Sequence, residues 1–145
     1  MDSPVLTAVT LGVRDVSASA AFYERLGFKR KVRATGDEIA FFDAGGLVLA
    51  LWDWSKLGLD AAVPVEPRLQ TFRGSTLAWN CRTREEVDAS FAQAIKAGGK
   101  LLRAPEPADY GGYRGYFADP DGHVWEIVVA PGFSFTGDGR LILPD

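Results

Sequence analysis

Residues 119–129 read DPDGHVWEIVV, a tight turn that runs straight into an apolar strand. Alternation along that strand puts Val124, Glu126 and Val128 on one face and Trp125, Ile127 and Val129 on the other. A carboxylate inside such a run needs a reason, and the only histidine of the chain, His123, lies close by. A second stretch has the same form: DAGGLVLALWD (43–53) is again an Asp-led turn closed by glycine and followed by an apolar strand. Setting the two halves side by side puts the turn DAGG over DPDG and, upstream, Val13-Arg14 over Cys81-Arg82. The chain therefore reads as one unit written twice.

The rest of each half fits that reading. In the first, VLTAVTLGVRD is an extended β-branched run, and Val16, Ala20, Tyr23 and Leu26 then recur at helical spacing until Gly27 stops the helix. FKRKVRA, EIAFFD and LVLALWDW supply the following strands. In the second half STLAWNCR (75–82) is a strand, and Thr83 with Glu86 forms the start signal of a helix that ends at Gly98-Gly99. KLLRA, YRGYFAD and HVWEIVVA complete it. The expected fold is α+β, two tandem βαβββ modules in a single domain spanning 1–145. Module one covers about 5–54, a linker 55–74, module two about 75–130 and a tail 131–145. The linker holds Pro64 and Pro67 and reads as a crossover strap opening with a short helical turn at 55–61. In the tail, Thr-Gly-Asp-Gly between small apolar runs predicts either a hairpin or an extended arm.

Composition excludes several classes of function. A formal charge of −3 and a pI near 5.2 leave no basic surface for nucleic acid or anionic membrane. The longest apolar run, LVLALW, is too short to span a bilayer, and MDSPVLTAV carries no secretory signature, so the expected location is the cytoplasm. Cys81 is the one cysteine and reads as a small buried hydrophobe rather than a reactive thiol. No Walker or GxGxxG phosphate cradle occurs, and no Ser-His-Asp set is available beyond His123.

LGVRDVSASAAFYERLGF, AWNCRTREEVDASFAQAIKAGG and YFADPDGHVWEI, set in duplicated βαβββ units, resemble the vicinal oxygen chelate superfamily of glyoxalases, bleomycin-binding proteins and extradiol dioxygenases. The resemblance implies mixed sheets curled into a cup with the helices outside, and a homodimer. It also implies four metal-ligand positions, one on the first and one on the last strand of each module. In this chain those positions fall on Ala8, Ala50, Thr76 and Glu126. Only the last is a ligand type for zinc, nickel or iron. His123 stands an odd number of residues from Glu126 and so points to the other face. A magnesium site of carboxylate and water on Glu126 and Asp53 is the remaining metal alternative. The reading is no metal and no cofactor.

With Glu126 turned into the cup, alternation brings Thr10, Ala50, Trp52, Thr76 and Asn80 to the same side, with Arg114 and Tyr116 added from YRGYFAD. Tyr110, Tyr113 and Trp54 stand nearby and read equally well as packing residues. These small and sparsely polar walls predict a pocket for an aromatic or amphipathic small molecule. Glu126 then has three readings: a ligand-binding carboxylate, a general acid or base, or a structural group paired with Arg114 or Asn80. The leading expectation is a metal-independent binding protein. The alternatives are a metal-free isomerase or lyase using Glu126, and last a metal-dependent glyoxalase (lactoylglutathione lyase) or dioxygenase.

Overall fold

The computed structural model describes residues 3–65 and 72–144. The chain divides into two compact units between Leu69 and Gln70. Most of the 55–74 linker is described, but its portion at 66–71, with Pro67, lies outside the described residues.

The first unit runs β1 (Ala8–Val13), α1 (Val16–Leu26), β2 (Lys29–Lys31), β3 (Ile39–Asp43), β4 (Val48–Asp53) and α2 (Trp54–Asp60). Its strands form a mixed four-stranded sheet in the order β1-β4-β3-β2, with β1 parallel to β4 and the other pairs antiparallel. The Asp15 carboxylate starts α1 by accepting the Ala18 N–H at 3.0 Å, and Gly27 ends it in the left-handed region. Phe22, Tyr23 and Leu26 of α1 are buried, and the Tyr23 ring lies 6.1 Å from that of Phe42 on β3. The core of this unit is therefore the face carrying Leu11, Val13, Ala40, Phe42, Leu49 and Leu51. β2 is shorter than FKRKVRA predicts. Val32 takes a left-handed φ of 51°, which breaks the extended run, and a 3₁₀ turn over Arg33–Thr35 follows. The short helix expected at 55–61 begins one residue earlier, because Asp53 caps it through the Lys56 N–H at 3.0 Å.

The second unit repeats the order: β5 (Thr76–Asn80), α3 (Arg84–Ala97), β6 (Lys100–Pro107), β7 (Tyr113–Ala118) and β8 (Val124–Val129). The sheet order is β5-β8-β7-β6, with β5 parallel to β8. The Thr83 hydroxyl caps α3 by accepting the Glu86 N–H at 3.0 Å. The Glu86 carboxylate turns back to accept the Arg82 N–H at 2.8 Å, one residue ahead of the cap. Phe91 of α3 packs against the sheet, where Gly115 has no side chain: a Cβ there would stand 3.0 Å from the Phe91 ring. Phe117 and Trp125 stack beneath the helix with ring centroids 6.2 Å apart. β6 runs past the predicted KLLRA to Pro107, and its ladder to β7 slips at Leu101/Arg103 and again at Arg103/Glu106. The tail forms the hairpin alternative, β9 (Ser134–Phe135) antiparallel to β10 (Leu141–Ile142).

The strand register repeats between the units. Ala8 pairs with Val48 and Thr10 with Ala50, just as Thr76 pairs with Val124 and Ala78 with Glu126. Across the antiparallel pairs Phe41 faces Ala50 where Tyr116 faces Glu126. The turns match too: the Asp43 carboxylate accepts the Gly45 N–H at 2.9 Å, and that of Asp119 accepts the Asp121 N–H at 2.9 Å. The fold is the predicted α+β pair of βαβββ modules. No described helix is long and apolar enough to cross a membrane.

Candidate functional site

In the second unit, the face of the sheet away from α3 carries the even-numbered residues of β5, β7 and β8. Gly115 marks the opposite face by its approach to Phe91. Glu126 sits on β8 directly across from Tyr116 on β7, and the Tyr116 hydroxyl donates to Glu126 Oε2 at 2.8 Å. Both side chains are half-buried. Burial raises the pKa of the Tyr116 hydroxyl, and its hydrogen bond to Glu126 and that carboxylate's charge raise it further, while Arg114 pulls it down. The Tyr110 hydroxyl is also raised, first by burial and then by the charge of Glu126, with Arg114 again opposing. Tyr110, Tyr116, Arg114 and Glu126 are thus one electrostatic cluster.

Arg114 and Asn80, the partners expected for a purely structural Glu126, take different positions. Arg114 stands across from Val128, one step along the same face, and its guanidinium turns toward the edge strand, 3.7 Å from the Glu106 carboxylate and 3.4 Å from the Glu106 carbonyl. Its side chain is only 12% exposed, so this cation is held in place. Register explains the outcome: the residue directly opposite a strand position reaches it first, and for Glu126 that residue is Tyr116. Asn80, half-buried, pairs with Val128 in the parallel ladder, while Thr76 and Ala78 on the same strand are exposed.

The predicted site residues of the first unit lie on the matching face of its own sheet. Thr10 is exposed, Ala50 is buried and Trp52 is half-buried beside Gly12 and Ile39. Trp54 packs on Gly12, where a Cβ would stand 3.0 Å from its ring. Tyr113 belongs to the α3 side of the second sheet and donates its hydroxyl to Asp88 on that helix at 2.7 Å. It is not among the Glu126 neighbours.

The four positions that the resemblance assigns to metal ligands hold few donor atoms. Ala8 and Ala50 offer no donor atom, Thr76 offers an alcohol, and the Glu126 carboxylate is engaged by a phenol. Asp53 spends a carboxylate oxygen on the cap of α2. Among the described residues no three His, Cys, Asp or Glu side chains gather as a metal ion would need. The residues present do not fit a transition-metal centre. His123 serves its turn: its N–H donates to Asp119 Oδ1 at 2.8 Å and its Nδ1 lies 3.3 Å from the Arg73 guanidinium. Cys81 is buried, and burial raises its thiol pKa, as the packing reading requires.

The glyoxalase/bleomycin resistance protein/dioxygenase superfamily model matches residues 5–127. The chain belongs to that superfamily. Its sequence is 30% identical over 123 residues to a bleomycin resistance protein of Klebsiella pneumoniae, covering 79% of this chain and 84% of that one. Its structure is similar to a glyoxalase-related enzyme from Fulvimarina pelagi, with a TM-score of 0.85 and 37% identity over 97% of this chain and 99% of that one. It also resembles a glyoxalase/bleomycin resistance protein/dioxygenase from Nocardioides, with a TM-score of 0.75 and 25% identity over 91% and 87% of the two chains.

Proposed function

We propose that this superfamily member is a metal-independent binding protein that holds an aromatic or amphipathic small molecule against the second sheet, on the face away from α3. One observation carries the reading: the family's ligand position on β8 holds a carboxylate that a neighbouring phenol already orients, with Arg114 fixed beside it. Glu126 would accept a hydrogen bond from a ligand amine or hydroxyl, and Tyr116 and Tyr110 would offer ring surface to a planar group. Thr76 and Ala78 are small and exposed, which leaves room next to the carboxylate. The Klebsiella relative is named for bleomycin resistance, which makes bleomycin the first ligand to test. Sequestration of such a molecule by a cytoplasmic homodimer is the function proposed, and light scattering on the purified protein checks the dimer.

The test is calorimetric titration with bleomycin and with planar amphipathic amines after dialysis against a chelator. Binding should persist in metal-free protein, and Glu126→Gln should weaken it by about tenfold, equivalent to about 1.4 kcal/mol, without lowering the melting temperature. Near-stoichiometric metal surviving dialysis, with binding that depends on it, would overturn the proposal. The same Tyr116–Glu126 hydrogen bond favours a second reading, an isomerase or lyase in which Glu126 moves a proton beside a phenol. Turnover abolished by Glu126→Gln in a folded protein decides for that reading.

A further inference from the structure

The second module holds a cavity at the other end of its sheet from the DPDG turn. It measures about 290 Å³ and is lined by Arg82, Thr83, Arg84, Gly111, Tyr113 and the segment Val129 to Pro131. Tyr113 and Val129 face each other across β7 and β8 and carry odd numbers, so they lie on the α3 side. The cavity therefore opens where β5 and β8 end and α3 begins, on the opposite face from Glu126.

Each of its two cations lies over an aromatic ring. The Arg82 guanidinium carbon sits 4.9 Å above the ring of Phe135 in the tail hairpin, and that of Arg84 sits 5.0 Å above the ring of Tyr113. Stacking uses the flat face of a guanidinium and leaves its N–H edge free. Neither guanidinium makes an ion pair or a side-chain hydrogen bond among the described residues. Two of the three carboxylates nearby already accept neutral donors, Glu86 from the Arg82 backbone N–H and Asp88 from the Tyr113 hydroxyl, while Glu85 acts on Tyr113 by its charge alone. Val129, Ala130 and Pro131 give the cavity an apolar wall.

The first module has no counterpart. Val13-Arg14 aligns with Cys81-Arg82, so the position of Arg84 is taken by Val16, which is buried in the core. By the β-strand register, the position of Tyr113 is taken by Glu38, which pairs with Lys56 at 2.7 Å. Two stacked arginines around a cavity are thus a feature of the second copy alone, and the fold does not demand them.

We propose that this cavity binds a small organic carboxylate, with Arg82 and Arg84 clamping the anion and the Val129–Pro131 wall receiving its apolar body. The planar fork of each guanidinium matches a carboxylate, and the volume suits a one-ring acid rather than a polymer.

The test uses benzoate, inorganic phosphate and acetate as probes on isotope-labelled full-length protein, read by amide chemical shifts and calorimetry. Benzoate should shift the amides of Thr83, Arg84, Tyr113 and Ala130, and bind at least tenfold more tightly than acetate. Arg82→Gln with Arg84→Gln should weaken benzoate at least tenfold, with an unchanged melting temperature because both residues are exposed. Phe135→Leu should give a smaller loss by releasing Arg82 from its stack. The amides of Ala78, Tyr116 and Glu126 should not shift with benzoate, which separates this cavity from the site on the other face. Phosphate binding as tightly as benzoate would refute the carboxylate assignment. Shifts spread evenly over surface lysines and arginines, or benzoate affinity unaltered in the double variant, would sink the site itself.

Discussion

The two sheets are built on one register and carry different chemistry on equivalent positions. Under the helices they agree: Phe42 corresponds to Phe117, and both are buried. On the faces away from α1 and α3 they part. Where the first sheet has Ile39, Phe41 and Ala50, the second has Arg114, Tyr116 and Glu126. Duplication fixed the backbone and the core, because both helices must be seated. It left the opposite faces free to diverge, and the second copy alone acquired a hydrogen-bonded polar cluster. The difference puts the Tyr116–Glu126 pair and Arg114 on the second sheet, where the first has apolar side chains.

Four experiments break or sharpen that contrast. Phe42→Ala and Phe117→Ala should each cost about 3–5 kcal/mol in urea unfolding, because each empties a core site under a helix. Unequal losses would show that the cores differ more than the register does. Ala50→Glu writes the second module's carboxylate into the first, at a position only 2% exposed, and should cost about 3 kcal/mol. Adding Phe41→Tyr should return about 1.5 kcal/mol by restoring the cross-strand donor. No recovery would mean that the pair depends on more than register.

The helix caps should behave alike in the two modules. Asp15→Ala and Thr83→Ala each remove one capping oxygen and should each lower stability by about 1 kcal/mol. The smallest effect concerns alkali. The folded protein holds the Tyr116 hydroxyl above its ordinary pKa of 10.0, so the folded state favours the neutral phenol. Its stabilising contribution is complete below that value and is lost as pH rises through the higher folded pKa. Tyr116→Phe should therefore flatten part of the stability decline above about pH 10, and should remove one of the components that titrate above the ordinary tyrosine range in a phenolate absorbance titration.

Period and punctuation made most of this fold legible. Gly27 and Gly98 end their helices, Asp15 and Thr83 start theirs, and the Asp-led turns set the frame that aligns the halves. Alternation was enough to bring Thr76, Asn80, Arg114, Tyr116 and Glu126 to one face. Partner choice within that face was not readable, because it depends on which side chain stands directly opposite and which reaches the edge. Hence Glu126 bonds to Tyr116, and Arg114 turns to Glu106. The end of β2 escaped because nothing in Lys-Val-Arg announces a left-handed valine. The Arg82–Arg84 cavity escaped for another reason: Phe135 and Tyr113 are distant in sequence from the arginines they steady.

The broken ladder of β6 has a consequence for how copies of this protein can meet. As the last strand of its sheet it carries Leu101 and Leu102, both exposed, and would otherwise offer its outer backbone to any extended chain. Two register slips bend that backbone, and Pro105 and Pro107 remove two of its donors. Both features work against strand-by-strand growth of the sheet at that edge. Association at this edge would rest on the leucine side chains more than on backbone pairing.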